Sequence, residues 1–82
     1  MNGLNFIRDT LRTNTIGNVS AWYNKEIEEL NVQIYVCETI DYYYREHFSH
    51  QQFESKKSLT EIVNTIKLDY RSYLIEKFFQ NI

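Results

Sequence analysis

The sequence of 82 residues contains no proline and only two glycines, the second of which is Gly17. These two residue types most often interrupt helices, so the chain after Gly17 contains no obvious helix breaker. The single cysteine, Cys37, excludes a disulfide within the chain and favours a reducing compartment. No stretch approaches the roughly 20 apolar residues of a membrane-spanning helix. The N-terminus lacks the basic segment and apolar run of a signal peptide, so we expect a cytoplasmic protein that does not associate with membranes.

Basic residues are too few and too scattered to form a dense positive surface. The chain has nine Lys and Arg side chains against eleven Asp and Glu, and its net charge is −2. Residues 18–48 alone carry six acidic and two basic side chains. Since neutralisation of phosphates dominates affinity for nucleic acids, direct binding to DNA or RNA is disfavoured. A small transcriptional regulator that contacts DNA through Arg8, Arg12, Lys56 and Lys57 remains an alternative.

The apolar residues between Gly17 and Ser49 recur at alternating steps of three and four. The positions are Tyr23, Ile27, Leu30, Ile34, Cys37, Asp41, Tyr44 and Phe48, with a carboxylate at one of them. This spacing is typical of an amphipathic helix and predicts one over residues 18–48. Such a helix would be roughly 45 Å long. It would overshoot a compact domain of this size, so we expect an elongated, kinked or oligomeric molecule.

Two further segments also carry helical spacing. Leu4, Ile7 and Leu11 fall on one face and predict a helix over residues 3–13, followed by a turn at Gly17. Ser58 and Glu61 have the spacing of a capping box and predict that the last helix covers residues 58–80. The predicted fold class is therefore all-α. One domain, residues 1–82, would contain a short N-terminal helix and a long antiparallel helical pair.

One segment, residues 30–37, also fits a β-strand. It is rich in β-branched residues, and its apolar and polar side chains largely alternate. A strand here would need a partner strand from a second chain, because the other segments are interpreted as helices. This alternative would split the long helix and would favour a dimer.

The two long predicted helices carry more apolar surface than one buried stripe requires. The chain has seven Tyr, five Phe and one Trp, and these aromatic types are common at protein interfaces. The first helix could cover part of the surplus, but it offers only three clear apolar residues. We therefore predict that at least one surplus stripe contacts another protein molecule. The predicted interface residues are Tyr35, Tyr42, Leu68, Ile75, Phe78, Phe79 and Ile82.

The sequence contains little that indicates catalysis. His47 and His50 could contribute to a metal site, but they lack a clear third ligand. Cys37 has no base nearby in the sequence and is interpreted as a small buried apolar residue. No phosphate-binding glycine loop or catalytic triad spacing is present. We expect a protein that is not an enzyme and that has no cofactor and no metal.

The function expected from these features is binding to another protein. The leading hypothesis is a non-enzymatic module, working as a homodimer, that binds and inhibits or regulates a larger protein. Small size and an abundance of Asn, Ile, Tyr and Lys are common in accessory proteins of phages and mobile elements, including inhibitors of host or defence enzymes. A structural subunit or assembly chaperone is a further alternative, which the sequence does not separate from an inhibitor.

Overall fold

The computed structural model describes residues 3–80, with side chains through Phe79. Within these residues, three helices and three strands follow one another. Their bounds are α1 (Gly3–Asn14), β1 (Asn18–Asn24), β2 (Glu29–Cys37), β3 (Ile40–His47), α2 (His50–Glu54) and α3 (Lys56–Gln80). The three strands form one antiparallel sheet in the order β1-β2-β3.

The prediction of an all-α helical bundle is therefore wrong, because the fold is α+β. Residues 18–48 form the whole sheet where the sequence analysis predicted one long helix. The alternative interpretation of residues 30–37 as a strand is confirmed, but its predicted pairing with a second chain is wrong. The partners of β2 are β1 and β3 of the same chain. The predicted antiparallel helical pair does not exist. α1 and α3 lie where the first and third helices were predicted.

Burial of every second side chain explains why this region forms strands. Leu30, Val32 and Ile34 of β2 are completely buried. All three lie on one face of the sheet, because successive residues of a strand point to opposite faces. Residues of β1 and β3 on the same face and apolar residues of α1 and α3 complete the core. These residues are Val19, Ala21, Tyr42, Ile7, Leu11, Leu59, Ile62, Val63, Ile66 and Tyr70.

The two hairpins turn without glycine or proline, so neither turn has a strong signal in the sequence. In the loop between β1 and β2, Glu28 has a positive φ of 50°. The side-chain oxygen of Asn24 accepts a hydrogen bond from the N–H of Glu26 at 3.0 Å, which stabilises the same loop. The β2–β3 turn consists of Glu38 and Thr39, next to an irregularity in the strand register.

The capping box predicted at Ser58 and Glu61 does not begin a helix, because α3 begins at Lys56. A capping box is instead present at the start of α2, between Ser49 and Gln52. The hydroxyl of Ser55 accepts a hydrogen bond from the N–H of Ser58 in the first turn of α3. At about 1.5 Å per residue, the 25 residues of α3 span roughly 37 Å. This helix accounts for most of the 43 Å length of the molecule.

Candidate interaction surfaces

The side of α3 that faces away from the sheet carries four large apolar residues, which we call the α3 stripe. Leu68 is 66% exposed, Ile75 46%, Phe78 61% and Phe79 70%. Leu68, Ile75 and Phe79 are separated by seven and four residues, so they align along one side of the helix. Among residues 71–79 of α3, none is buried. The second half of α3 therefore presents a helical apolar surface to solvent.

An apolar groove joins the α3 stripe to the end of α1. It has a volume of about 390 Å³, and Ile16, Leu68 and Leu74 contribute to its walls. Ile16 is 82% exposed, although its carbonyl accepts a hydrogen bond from the Tyr70 hydroxyl at 2.9 Å. The backbone of this segment is thus attached to α3 while its apolar side chain stays in solvent. The exposed apolar surface extends from the end of α3 to Ile16.

The other predicted interface residues lie elsewhere. Tyr35 is 39% exposed on the sheet, far along the chain from the α3 stripe. Tyr42 lies in the core and is only 3% exposed, so it offers no free surface in this structure. Ile82 lies outside the described residues. The structure therefore brings together Leu68, Ile75, Phe78 and Phe79, and it separates them from the two tyrosines.

Tyr42 connects the sheet to α3 through its hydroxyl, which donates a 2.5 Å hydrogen bond to the Asp69 carboxylate. Its ring also contacts the rings of Tyr70 and Tyr73. Burial, followed by this hydrogen bond and the negative charge of Asp69, raises the pKa of Tyr42. Burial likewise raises the pKa of Tyr70. Both hydroxyls therefore hold their protons more strongly in the folded protein than in the unfolded chain.

The face of the sheet opposite the core, which we call the open face, is covered by none of the described helices. Trp22, Tyr35 and Tyr43 are exposed there. Beside the Tyr43 ring, Gln33 donates hydrogen bonds to the Tyr43 hydroxyl at 2.8 Å and to the Asp41 carboxylate at 2.9 Å. The open face thus combines exposed aromatic rings with polar side chains that are already held in place.

A second polar group on the open face surrounds Asn31, which is only 6% exposed. Asn31 lies opposite Trp22 on one side and Arg45 on the other. The guanidinium of Arg45 donates a hydrogen bond to Asn31 at 3.1 Å and lies 3.5 Å from a Glu29 oxygen. Because the Arg45 side chain is 73% exposed, this ion pair contributes little stability, and its main effect is to orient Arg45.

The β1 edge of the sheet is closed by side chains of α1. Arg8 donates a hydrogen bond to the carbonyl of Ala21 at 2.9 Å, and Arg12 donates one to the carbonyl of Val19 at 3.2 Å. These two guanidiniums were the candidate DNA contacts of the sequence analysis. In the structure they bind backbone carbonyls of the protein itself.

The β3 edge has a different arrangement. The N–H of Phe48 donates to the carbonyl of Glu28 at 2.9 Å, and every second residue of an antiparallel strand bonds to its neighbour in this way. By this alternation, the residues of β3 whose N–H and C=O groups point away from β2 are Asp41, Tyr43, Arg45 and His47. The N–H of Asp41 agrees with this assignment, because it donates to the Tyr73 hydroxyl at 2.9 Å.

The candidate chemical groups do not form a common site. A ring nitrogen of His47 lies 3.1 Å from the Ile27 carbonyl, and the His50 ring packs against Tyr23. Cys37 is exposed, contrary to its predicted burial, and its hydrogen bond with Thr39 lowers the pKa of the thiol. Among the described residues, no group of three potential metal ligands occurs.

Trp22 and Tyr43 are surface residues that the sequence analysis did not identify. For Trp22 the signal was present, because Val19, Ala21 and Tyr23 alternate with Ser20 and Trp22 in the manner of a half-buried strand. The helical interpretation of residues 18–48 concealed this alternation. Recognition of β1 as a strand would have placed Trp22 on the face opposite the core.

Comparison with known proteins identifies no relative: no family model, no curated protein and no solved structure matches this chain. None of the helices within residues 3–80 combines the length and apolar character needed to span a membrane.

Proposed function

We propose that this protein is a non-enzymatic interaction module that binds a larger protein through the α3 stripe and thereby inhibits or regulates it. The observation that carries the proposal is the exposure of four large apolar side chains along one helix. Contiguous apolar surface of this kind usually marks an interaction site in a soluble protein. Its spacing suits insertion of a helix into a hydrophobic groove, in which residues about one or two turns apart act as anchors. The biological setting we propose is inhibition or regulation of a host or defence enzyme by a protein of a phage or mobile element.

The proposal also includes a cytoplasmic homodimer as the working unit. A domain of this size buries only about 60% of the surface that its unfolded chain exposes, so a second copy would add stabilising area. The open face is the surface we assign to this contact. It exposes Trp22 and Tyr43, and its charged side chains are Arg45, Glu29 and Asp41, with Arg45 lying 3.5 Å from Glu29. The small negative charge that remains opposes the meeting of two identical faces only weakly.

A first set of variants tests the role of the α3 stripe. The double variant Ile75→Ser/Phe79→Ser removes the two anchors nearest the end of the α3 stripe, and Asn64→Ser is a matched change at an exposed polar position of the same helix. With each protein as bait in a lysate of the source cells, the wild type and Asn64→Ser should capture the same larger protein. The double variant should lose it while its circular dichroism spectrum stays unchanged. The purified partner should then change activity when the wild-type protein is added.

Capture of the same protein by the double variant, or capture by none of the three, would contradict the role of the α3 stripe. Light scattering tests the homodimer separately. The wild type should have twice the 10.0 kDa mass of one chain, and Trp22→Ser should reduce that mass to a single chain. A wild-type protein that stays at 10.0 kDa across a concentration series would remove the homodimer from the proposal.

A further inference from the structure

The free edge of β3 has main-chain groups that nothing in the described part of the protein uses. The N–H of Asp41 is bound by Tyr73, and the N–H of His47 donates to the Glu46 carboxylate at 3.1 Å. Between these two capped positions lie Tyr43 and Arg45, whose N–H and C=O groups point away from β2. No described group outside the sheet hydrogen-bonds to the N–H of either residue.

The two edges of the sheet therefore differ in a way that selects one of them for pairing. Proteins commonly block exposed strand edges, because an open edge pairs with another extended chain. Arg8 and Arg12 block β1, whereas β3 is blocked only at its ends. An extended segment laid antiparallel to β3 would form four main-chain hydrogen bonds, two with Tyr43 and two with Arg45.

The charge along this edge indicates the chemistry of the added segment. Two grooves follow the junction between β3 and α3, and neither is lined by a Lys or Arg side chain. Four exposed carboxylates line them, and none forms an ion pair with a described Lys, Arg or His. They belong to Glu46, Glu61, Asp69 and Glu76. A strand added at this edge would direct every second side chain toward these carboxylates.

We infer that the free edge of β3 binds, by strand addition, an extended segment of a partner protein that carries Lys or Arg at alternate positions. The inference rests on the proposed function as a protein-binding module, but it does not use the α3 stripe. A second copy of β3 fits the edge less well, because it would direct Tyr42, Tyr44 and a further carboxylate, Glu46, toward the acidic side. A nucleic acid also fits this edge less well, because the same carboxylates would repel its phosphates.

The experiment uses the full-length protein and three heptapeptides with blocked ends. The first alternates Lys and Thr, beginning and ending with Lys. The second has the same sequence but carries N-methyl groups on its Thr residues, which removes the N–H donors to Tyr43 and Arg45 and keeps the charge. The third alternates Glu and Thr. Affinity is measured by titration calorimetry, and the backbone amides are followed by NMR and by hydrogen exchange.

We expect the Lys–Thr peptide to bind, to shift the amide signals of Tyr43 and Arg45, and to slow hydrogen exchange at both. The N-methylated peptide should bind at least tenfold more weakly, since it retains only the charge. The Glu–Thr peptide should not bind. The double variant Glu61→Gln/Glu76→Gln should bind the Lys–Thr peptide about 3- to 10-fold more weakly than the wild type, as expected for the loss of two exposed charge interactions. The control Glu26→Gln/Glu54→Gln removes the same charge away from the edge and should leave the affinity unchanged.

Equal binding of the N-methylated and unmodified peptides would overturn the inference, because attraction between charges alone would then account for it. Binding without a change at Tyr43 and Arg45, or no binding of the Lys–Thr peptide, would overturn it too. Protection of both amides in a peptide-free dimer would assign the edge to a second copy instead. None of these results depends on Ile75 or Phe79, so failure here leaves the lysate experiment on the α3 stripe to decide the proposed function.

Discussion

At the scale of single residues, Gly17 determines how the chain passes from α1 to the sheet. Its φ is +124°, a conformation that residues with a Cβ atom rarely adopt. A Cβ atom placed there would also lie 3.0 Å from the Tyr35 carbonyl oxygen and 3.1 Å from a methyl group of Ile34. Both the backbone conformation and the close approach to β2 therefore require glycine.

We predict that Gly17→Ala lowers the free energy of unfolding by about 1–3 kcal/mol, because it combines an unfavourable φ with a crowded contact. Urea unfolding followed by circular dichroism measures this loss. Ser20→Ala is the control, since Ser20 is exposed on β1 and its replacement should change stability by no more than about 0.5 kcal/mol. Equal stability of Gly17→Ala and the wild type would mean that the backbone relaxes at this position.

At the scale of elements, α1 and α3 could be predicted from local sequence, whereas α2 and the sheet were not predicted. Ile7 and Leu11 repeat at helical spacing and are both buried where α1 meets the core. The apolar positions of α3 from Leu59 to Tyr70 behave in the same way. Hydrogen bonds within a helix join residues four apart, so its pattern is contained in a short window of sequence.

The formation of the strands depends on pairing between residues that are far apart in the sequence. Val32 is buried because Ala21 and Tyr44 lie beside it in neighbouring strands, and neither relation is visible in a local pattern. Apolar and polar residues largely alternate in β2 itself, but neither hairpin contains a glycine that would have indicated the turns between the strands. The exposed residues of α3 followed from helical spacing, and the exposure of Trp22 could have been inferred from the alternation within β1. Tyr43 and the two sheet edges required knowledge of the strand pairing.

The interaction between α1 and the β1 edge gives a prediction at the same scale. Arg8→Ala/Arg12→Ala should lower the free energy of unfolding by about 1 kcal/mol per lost hydrogen bond, and it should expose the carbonyls of Val19 and Ala21. Because the β1 edge would then be open, this variant should also aggregate faster than the wild type. Urea unfolding and time-resolved light scattering measure the two effects.

Arg71→Ala provides the control for this experiment, because it removes an exposed guanidinium from α3 without affecting the sheet. We expect wild-type stability and wild-type aggregation from it. If the double variant also retained both properties, the guanidiniums would not be needed to close the β1 edge. The candidate role of Arg8 and Arg12 in binding DNA would then need a direct measurement.

At the scale of the whole molecule, the tyrosines join elements that are far apart in sequence. Tyr42 connects β3 to Asp69 of α3, and Tyr70 connects α3 to the Ile16 carbonyl after α1. Tyr73 of α3 binds the beginning of β3. In the contacts of Tyr42 and Tyr70 the neutral phenol donates the hydrogen bond, whereas the Tyr73 hydroxyl accepts one from the N–H of Asp41. Packing of the helices on the sheet is therefore coupled to the protonation of buried tyrosines.

This coupling predicts loss of stability at alkaline pH. The pKa of Tyr42 and that of Tyr70 are raised in the folded protein, whereas a tyrosine in the unfolded chain has a pKa of about 10. Below that pH both states keep their protons, and the contribution to stability is complete. Above it the unfolded chain releases protons that the folded protein retains, so unfolding becomes more favourable as pH rises. Each such tyrosine should lower the free energy of unfolding by about 1.4 kcal/mol per pH unit until it ionises in the folded state.

Urea unfolding at pH 7, 9, 10 and 11 would measure this effect, with the wild type compared with two variants. Tyr70→Phe removes one titrating group and should reduce the slope above about pH 10 by about 1.4 kcal/mol per pH unit. Tyr35→Phe, an exposed position on the open face, should retain the wild-type slope. Identical slopes for all three proteins would show that Tyr70 titrates alike in both states. A reduced slope for Tyr70→Phe alone would show that the phenol attaching α3 to the end of α1 keeps its proton because the molecule is folded around it.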